Sequence, residues 1–196
     1  MRKIKLIATD LDGTFLKNDH SISANDLNTL RLLGEKGIKR VIATGRNLKK
    51  VRNVIPSHIP FDYIIYSSGA GIYDCNARKH IFSKNISKEI SKGLVSLLME
   101  MDISFNAFLP VPENHHLWYH RGTYACEEFE DYFKFHNSHS SPLPKLIDFE
   151  SELCQVLIIL PNEEPLFNRL KGILMDKYKD LGVIRDQYNI GVVNHK

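Results

Sequence analysis

The chain has 196 residues, enough for one substantial domain or two small ones. Its composition, 43% hydrophobic and 25% charged, is that of a folded globular protein and excludes collagen-like, disordered and low-complexity classes. The net charge of +3 is too small to indicate a nucleic-acid partner, and no apolar run approaches the roughly 20 residues that a membrane helix needs.

The charge is unevenly spread. Residues 1–60 hold 12 basic and 5 acidic side chains, whereas residues 83–185 hold 11 basic and 15 acidic ones. The asymmetry implies two parts, of which the basic one is either a solvated lysine-rich surface or an attractor for an anion such as phosphate. Three scattered cysteines (Cys75, Cys126, Cys154) with no CxxC pair argue against a disulfide framework or a structural zinc held by cysteines. The apolar stretch from Ile4 is too short for a signal peptide before Asp10 interrupts it, so the expected compartment is the cytoplasm.

Ile4 to Thr9 reads as a buried strand of a parallel sheet. Ser23 with Asp26 three residues on resembles a capping box, and Leu27, Leu30 and Leu33 follow at helical spacing up to Gly37. A second apolar strand is expected at 38–43, a turn at Thr44-Gly45-Arg46, a helix over 47–55 before Pro56, and a third strand at 61–67. Strands alternating with helices imply right-handed crossovers and a parallel sheet covered on both faces, with ligands bound beyond the carboxyl ends of its strands. From about residue 83 the pattern becomes mixed: helix at 87–101, strands at 103–109 and 116–120, an acidic helix near 125–136, a loop at 140–144, a strand at 154–160, an amphipathic helix at 163–179 and a short strand at 181–186. The expected division is 1–82, 83–185 and a return to the first part over 186–196.

The most informative residues are Asp10-Leu11-Asp12-Gly13-Thr14, where the first strand runs out. In extended chain, residues i and i+2 face the same way, so Asp10 and Asp12 can share one crevice while Leu11 turns back to the apolar side. Two carboxylates so close need a cation or a proton between them. One, held ionised by a divalent metal, can attack an electrophile, and its neighbour can deliver and recover a proton. The competing reading is an Asp-rich turn. A calcium loop of EF-hand type does not fit, because a strand precedes and Phe15-Leu16 follow. At the end of the second strand, Thr44-Gly45-Arg46 is either a plain turn or a phosphate cradle made of a hydroxyl, backbone N–H groups at a helix start and a guanidinium; its position beside DLDGT favours the cradle.

DLDGT after an apolar strand, with IATGR ending the next one, resembles the haloacid dehalogenase (HAD) superfamily of phosphatases. FDYIIYSSGAGIYD at 61–74 resembles the Cof-type subgroup, with Ser68 in place of the usual Asn of its Asn-Gly-Ala turn. The resemblance implies a Rossmann-like parallel-sheet core with an inserted α/β cap domain. It implies Asp10 as nucleophile and Mg²⁺ ligand. Asp12 becomes the general acid and base, with its backbone carbonyl on the metal. Leu11 N–H, Thr44 and Gly45 hold phosphoryl oxygens, and Arg46 orients the substrate, a small phosphorylated metabolite such as a sugar phosphate. No nucleic-acid or membrane partner is expected. The family also carries a lysine and a GDGxND-like acidic motif after the cap. Only YNIGVVNHK remains here, Lys196 lacks the expected turn-and-helix context and is not assigned, and the core is expected to be incomplete. The alternative is therefore a truncated or degenerate non-catalytic protein that keeps a phosphate-binding crevice.

His115, His116, His120, His136 and His139 show no known ligand spacing with carboxylates and read as surface or strand-lining side chains. Trp118 and Tyr119 are expected on opposite faces of the second part's sheet.

Overall fold

The computed structural model describes residues 3–123, 126–159, 164–179, 181–186 and 189–194. The chain forms two compact units, divided between Lys84 and Asn85. Among the described residues no helix is long and apolar enough to cross a membrane.

The first unit is a five-stranded sheet in the order β1-β2-β3-β4-β5, comprising β1 Leu6–Asp10, β2 Lys39–Ala43, β3 Tyr63–Tyr66, β4 Gly71–Asp74 and β5 Lys79–Ser83. The first three strands are parallel, as the βαβ alternation requires, and are joined through helices α1 (Ala24–Glu35) and α2 (Leu48–Val54). Ser23 starts α1 by accepting the N–H groups of Asn25 and Asp26 on its hydroxyl. The hairpin β4–β5 is silent in the sequence because GIYD and KHIFS contain no continuous apolar run. Asp74 organises its turn by accepting the N–H groups of Asn76 and Ala77. Gly71 is required opposite Tyr66, because a Cβ there would collide with the buried phenol ring, whose hydroxyl meets His80 Nδ1 at 2.9 Å.

One expectation is corrected. β1 is not buried: Ile4 is 63% and Leu6 52% exposed. Among the described residues β1 pairs with β2 alone and forms the sheet edge, so its apolar side chains have neighbours on one flank only.

The bases of β2 and β3 are clamped together by a buried ion pair. Asp62, 5% exposed, accepts from the Arg40 backbone N–H and from Arg40 Nε at 2.9 Å each, from Nη2 at 3.2 Å and from Asn76 Nδ2 at 3.2 Å. Burial alone would raise its pKa, but the Arg40 and Asn76 donors outweigh it and hold the carboxyl at about 2. A carboxyl depressed from its ordinary 3.8 contributes stability that is fully present above about pH 4 and is lost as pH falls towards 2. Asp62→Asn is therefore expected to destabilise the protein by about 2–4 kcal/mol at neutral pH and to flatten the acid limb of urea midpoints measured between pH 5 and 2. An unchanged acid limb in the variant would assign it to other carboxylates.

The second unit is a six-stranded sheet in the order β10-β11-β9-β6-β7-β8. Its strands are β6 Phe105–Phe108, β7 Leu117–His120, β8 Ser140–Pro142, β9 Gln155–Ile159, β10 Leu181–Asp186 and β11 Asn189–Asn194. Helices α3 (Lys88–Glu100) and α5 (Glu164–Lys177) pack through Leu94, Leu98, Leu170 and Leu174 onto Phe105, Ala107, Val156 and Ile158. Helix α4 (Glu127–His136) packs Phe129 against Leu157 and Ile159 on the other face. Strand alternation sends Trp118 to Phe149 and Tyr119 to Phe133, on opposite faces.

Two further expectations change. The stretch read as a loop at 140–144 begins with β8, a parallel edge strand that tolerates Pro142 because an edge residue can do without its N–H. The segment after 185 was expected to return to the first unit, yet β11 pairs antiparallel with both β10 and β9 and so belongs to the second sheet. The N–H and C=O groups of a six-residue strand are satisfied by those two ladders.

Within this sheet Asn106 is fully buried in β6, and neither its Oδ1 nor its Nδ2 has a hydrogen-bond partner among the described residues. An unpaired buried amide costs about 1–3 kcal/mol. Asn106→Leu, similar in volume, is expected to raise stability by about 1–2 kcal/mol in urea unfolding; a loss instead would reveal a partner for the amide.

Candidate active site

The site lies where β1 and β2 end side by side, Asp10 in register with Ala43. Past Asp10 the chain closes a tight loop. Leu16 N–H donates to Leu11 O at 2.8 Å, and Gly13 N–H to Leu16 O at 2.9 Å. Gly13 supplies the left-handed turn (φ 73°) that this closure needs. The loop is anchored from below by Leu11, Phe15 and Leu16, all buried, with the Phe15 ring edge-to-face on Phe61 at 5.0 Å. With Leu11 turned into the core, Asp10 and Asp12 stand exposed on either side of it.

The two carboxylates differ in surroundings. Among the described residues Asp10 makes no side-chain hydrogen bond or ion pair. Asp12 is gripped by Arg46: Nη2 donates to Oδ1 at 2.7 Å, and Nε donates to Oδ2 at 2.9 Å and Oδ1 at 3.1 Å. That two-pronged pair raises the Arg46 pKa, chiefly through the hydrogen bond. Arg46 N–H donates to Thr44 Oγ1 at 3.2 Å, tying the hydroxyl, the guanidinium and Asp12 into one cluster. Thr44 is buried and Gly45 exposed.

α2 begins only after Asn47, whose Oδ1 accepts Lys50 N–H at 2.9 Å, and the Arg46 amide is already occupied by Thr44. The Lys50 pKa is lowered, first by desolvation and then by the nearby Arg46 charge, which concentrates positive potential beside the loop.

Ser67 and Ser68 form the turn that follows β3. Both adopt left-handed backbone, with φ of 51° and 53°. Ser67 N–H donates to Arg46 O at 2.8 Å and Ser68 N–H to Thr44 O at 3.1 Å, fastening the loop after β3 onto the Thr44–Arg46 turn. A Cβ on Gly45 would lie 3.5 Å from Ser68 Oγ, so this hydroxyl sits beside the exposed glycine. Consecutive non-glycine residues in that conformation each cost of order 1 kcal/mol or more and persist only where surrounding contacts impose them. Lys196 lies outside the described residues.

A family model for haloacid dehalogenase-like hydrolases matches residues 7–196. The chain belongs to this family. Within the haloacid dehalogenase-like hydrolases it is 38% identical over 73 residues to the 5-amino-6-(5-phospho-D-ribitylamino)uracil phosphatase YcsE of Bacillus subtilis, a match covering 37% of this chain and 29% of that protein. Phosphatase YwpJ of Bacillus subtilis is 31% identical over 105 residues, covering 54% of this chain and 36% of its own length. The chain thus spans well under half of these curated relatives. Among solved structures, a Thermotoga maritima protein superposes with a TM-score of 0.75 at 22% identity, covering 99% of this chain and 70% of that one. A sugar phosphatase of HAD subclass IIB superposes at 0.62 with 18% identity, covering 97% and 70%. At such identities these structures carry the fold, a Rossmann-like core accompanied by further α/β structure.

Proposed function

We propose that the protein is, or forms part of, a Mg²⁺-dependent phosphatase that hydrolyses small phosphorylated metabolites, sugar phosphates among them, through a phosphoryl group carried on Asp10. The observation that carries this reading is the asymmetry of the two carboxylates: among the described residues Asp10 stands unengaged while Asp12 is held by Arg46. A nucleophile needs an accessible lone pair, and a proton carrier needs a fixed position.

The Asp10 carboxylate and the Asp12 backbone carbonyl are hard oxygen donors of the kind Mg²⁺ prefers, and that ion keeps several waters and needs few protein ligands. When bound, it supplies the charge neutralisation that lets a carboxylate approach a phosphate dianion. The remaining steps belong to side chains. Arriving phosphate competes for the Arg46 guanidinium and loosens its grip on Asp12. Thr44 Oγ1, already accepting from the Arg46 amide, retains its own proton to donate to a phosphoryl oxygen. An Asp10 oxygen attacks phosphorus while the bond to the leaving oxygen breaks, and Asp12, freed from Arg46 and entering the step in its protonated form, gives that oxygen its proton. Water then attacks the phosphorus of the acyl phosphate, Asp12 takes the proton back, and phosphate leaves with Asp10 restored. Choice of substrate is assigned to the second unit, by resemblance to the large α/β cap of the Cof-type subgroup.

A second reading is a phosphate-binding protein without turnover. It is favoured by the absence, among the described residues, of a third carboxylate or histidine gathered with Asp10 and Asp12. Release of phosphate from p-nitrophenyl phosphate in Mg²⁺ separates the two. Turnover that depends on Asp10 supports the phosphatase. Phosphate binding with no release at high protein concentration supports the second reading. Product analysis with an alcohol acceptor present distinguishes hydrolysis from transfer to a hydroxyl.

A further inference from the structure

Glu113, His115 and His116 bring one ligand atom each to within 4.8 Å of one another in the second unit. His139, distant in sequence, packs its ring against the two histidines: its centroid lies 5.8 Å from that of His115 and 5.4 Å from that of His116, which are themselves 4.1 Å apart. His115 Nε2 faces the Glu113 carboxylate at 3.9 Å.

The convergence is built by backbone. Residues 110–116 form two overlapping turns, Glu113 N–H to Pro110 O at 2.8 Å and His116 N–H to Glu113 O at 2.9 Å. Leu109 N–H closes the base on His116 O at 3.1 Å. Asn114, buried at the centre, pins the turn to the start of β9 by donating to Cys154 Sγ at 3.3 Å. Leu117 is in parallel register with Ser140, so His116 and His139, each one residue earlier, are placed side by side. This register explains why linear spacing hid the cluster: a 23-residue interval between two histidines is not a ligand motif, but adjacency on neighbouring strands is.

We propose that Glu113, His115, His116 and His139 form a binding site for a borderline-soft divalent transition ion, Zn²⁺ foremost. Neutral imidazole is a preferred ligand of zinc, and three imidazoles with one carboxylate make a four-coordinate set. Bonds of about 2.0–2.2 Å to a tetrahedral ion require ligand atoms about 3.4 Å apart, so Glu113, His115 and His116 would draw together from their present spread of up to 4.8 Å and the His139 ring would swing in to join them. The ion would cross-link the 110–116 turn to the start of β8, an edge strand held by a single ladder. Its imidazole ligands are unlike the all-oxygen set suited to Mg²⁺.

The test is calorimetric titration of the full chain with Zn²⁺ in millimolar Mg²⁺, alongside thermal melts. One zinc per chain is expected, with a raised Tm. Affinity should fall by at least about 10–100-fold in His116→Ala and in His139→Ala and stay unchanged in Asp10→Asn. No uptake, equal uptake in both histidine variants, or loss in Asp10→Asn would each overturn the proposal. Should the histidine variants lose their far-UV circular dichroism, anomalous diffraction at the zinc edge on the unaltered protein decides. A peak within bonding distance of the His115 and His116 ring nitrogens supports the site, and a peak elsewhere refutes it.

Discussion

Asp10→Asn is expected to lower phosphate release from p-nitrophenyl phosphate by about 10⁴-fold or more while leaving the melting temperature nearly unchanged. The amide keeps the size of the carboxylate but has no anionic lone pair with which to attack phosphorus, so the covalent route closes. Stability should be almost unaffected because the Asp10 side chain is exposed and engages no partner among the described residues, and such surface changes usually stay within about 0.5 kcal/mol. The contrast between activity and stability is the diagnostic part. If the variant kept wild-type turnover, the carboxylate would not be the nucleophile. If it lost activity only together with its fold, the residue would be structural.

Asp12→Asn should lower turnover by about 10²–10⁴-fold, the usual worth of a positioned acid and base, and the loss should depend on the leaving group. A sugar alkoxide is a poor leaving group and needs the proton, whereas p-nitrophenolate departs as a stable anion. The variant should therefore be impaired more severely on a sugar phosphate than on the nitrophenyl ester in the bond-breaking step. Its KM for either should be unchanged or lower, because removing the Asp12 carboxylate releases the Arg46 guanidinium, now bonded to it at 2.7 Å, for the substrate's phosphate. The partly exposed ion pair itself contributes little to folding, about 0–1 kcal/mol. Equal losses on both substrates would place Asp12 in binding or metal support instead of proton transfer.

Much of the first unit was legible because its signals are local. Apolar runs of five or six residues ending in polar turns identify β1 and β2, Ser23 identifies the start of α1, and the alternation of Asp10, Leu11 and Asp12 predicts one side chain inward and two outward. What stayed hidden depends on partners far along the chain. The exposure of Leu6 is a matter of which strand lies beside β1. The membership of Asn189–Asn194 in the second sheet depends on a ladder with β9, thirty-odd residues earlier. Arg46 was marked as a possible substrate contact, but its grip on Asp12 could not be foreseen, since it arises only when two strand ends are brought level. The resemblance marks Ser68 as a turn residue, but the left-handed backbone of Ser67 and Ser68 stays hidden because serine does not advertise it as glycine does.

Among the described residues β1 is hydrogen-bonded along one flank only, while Asp10 sits at its last position. Segments with a single ladder and little buried apolar surface open by local unfolding at lower free energy than the strands inside a sheet. The strand bearing the proposed nucleophile is therefore one of the two edge strands of its sheet and opens more readily than β2 or β3, while the loop beyond it stays tethered through the buried Phe15 and Leu16. Any polypeptide or ligand that occupies the free flank would quieten that motion, and with it the wandering of the Asp10 carboxylate, without touching a single atom of the site.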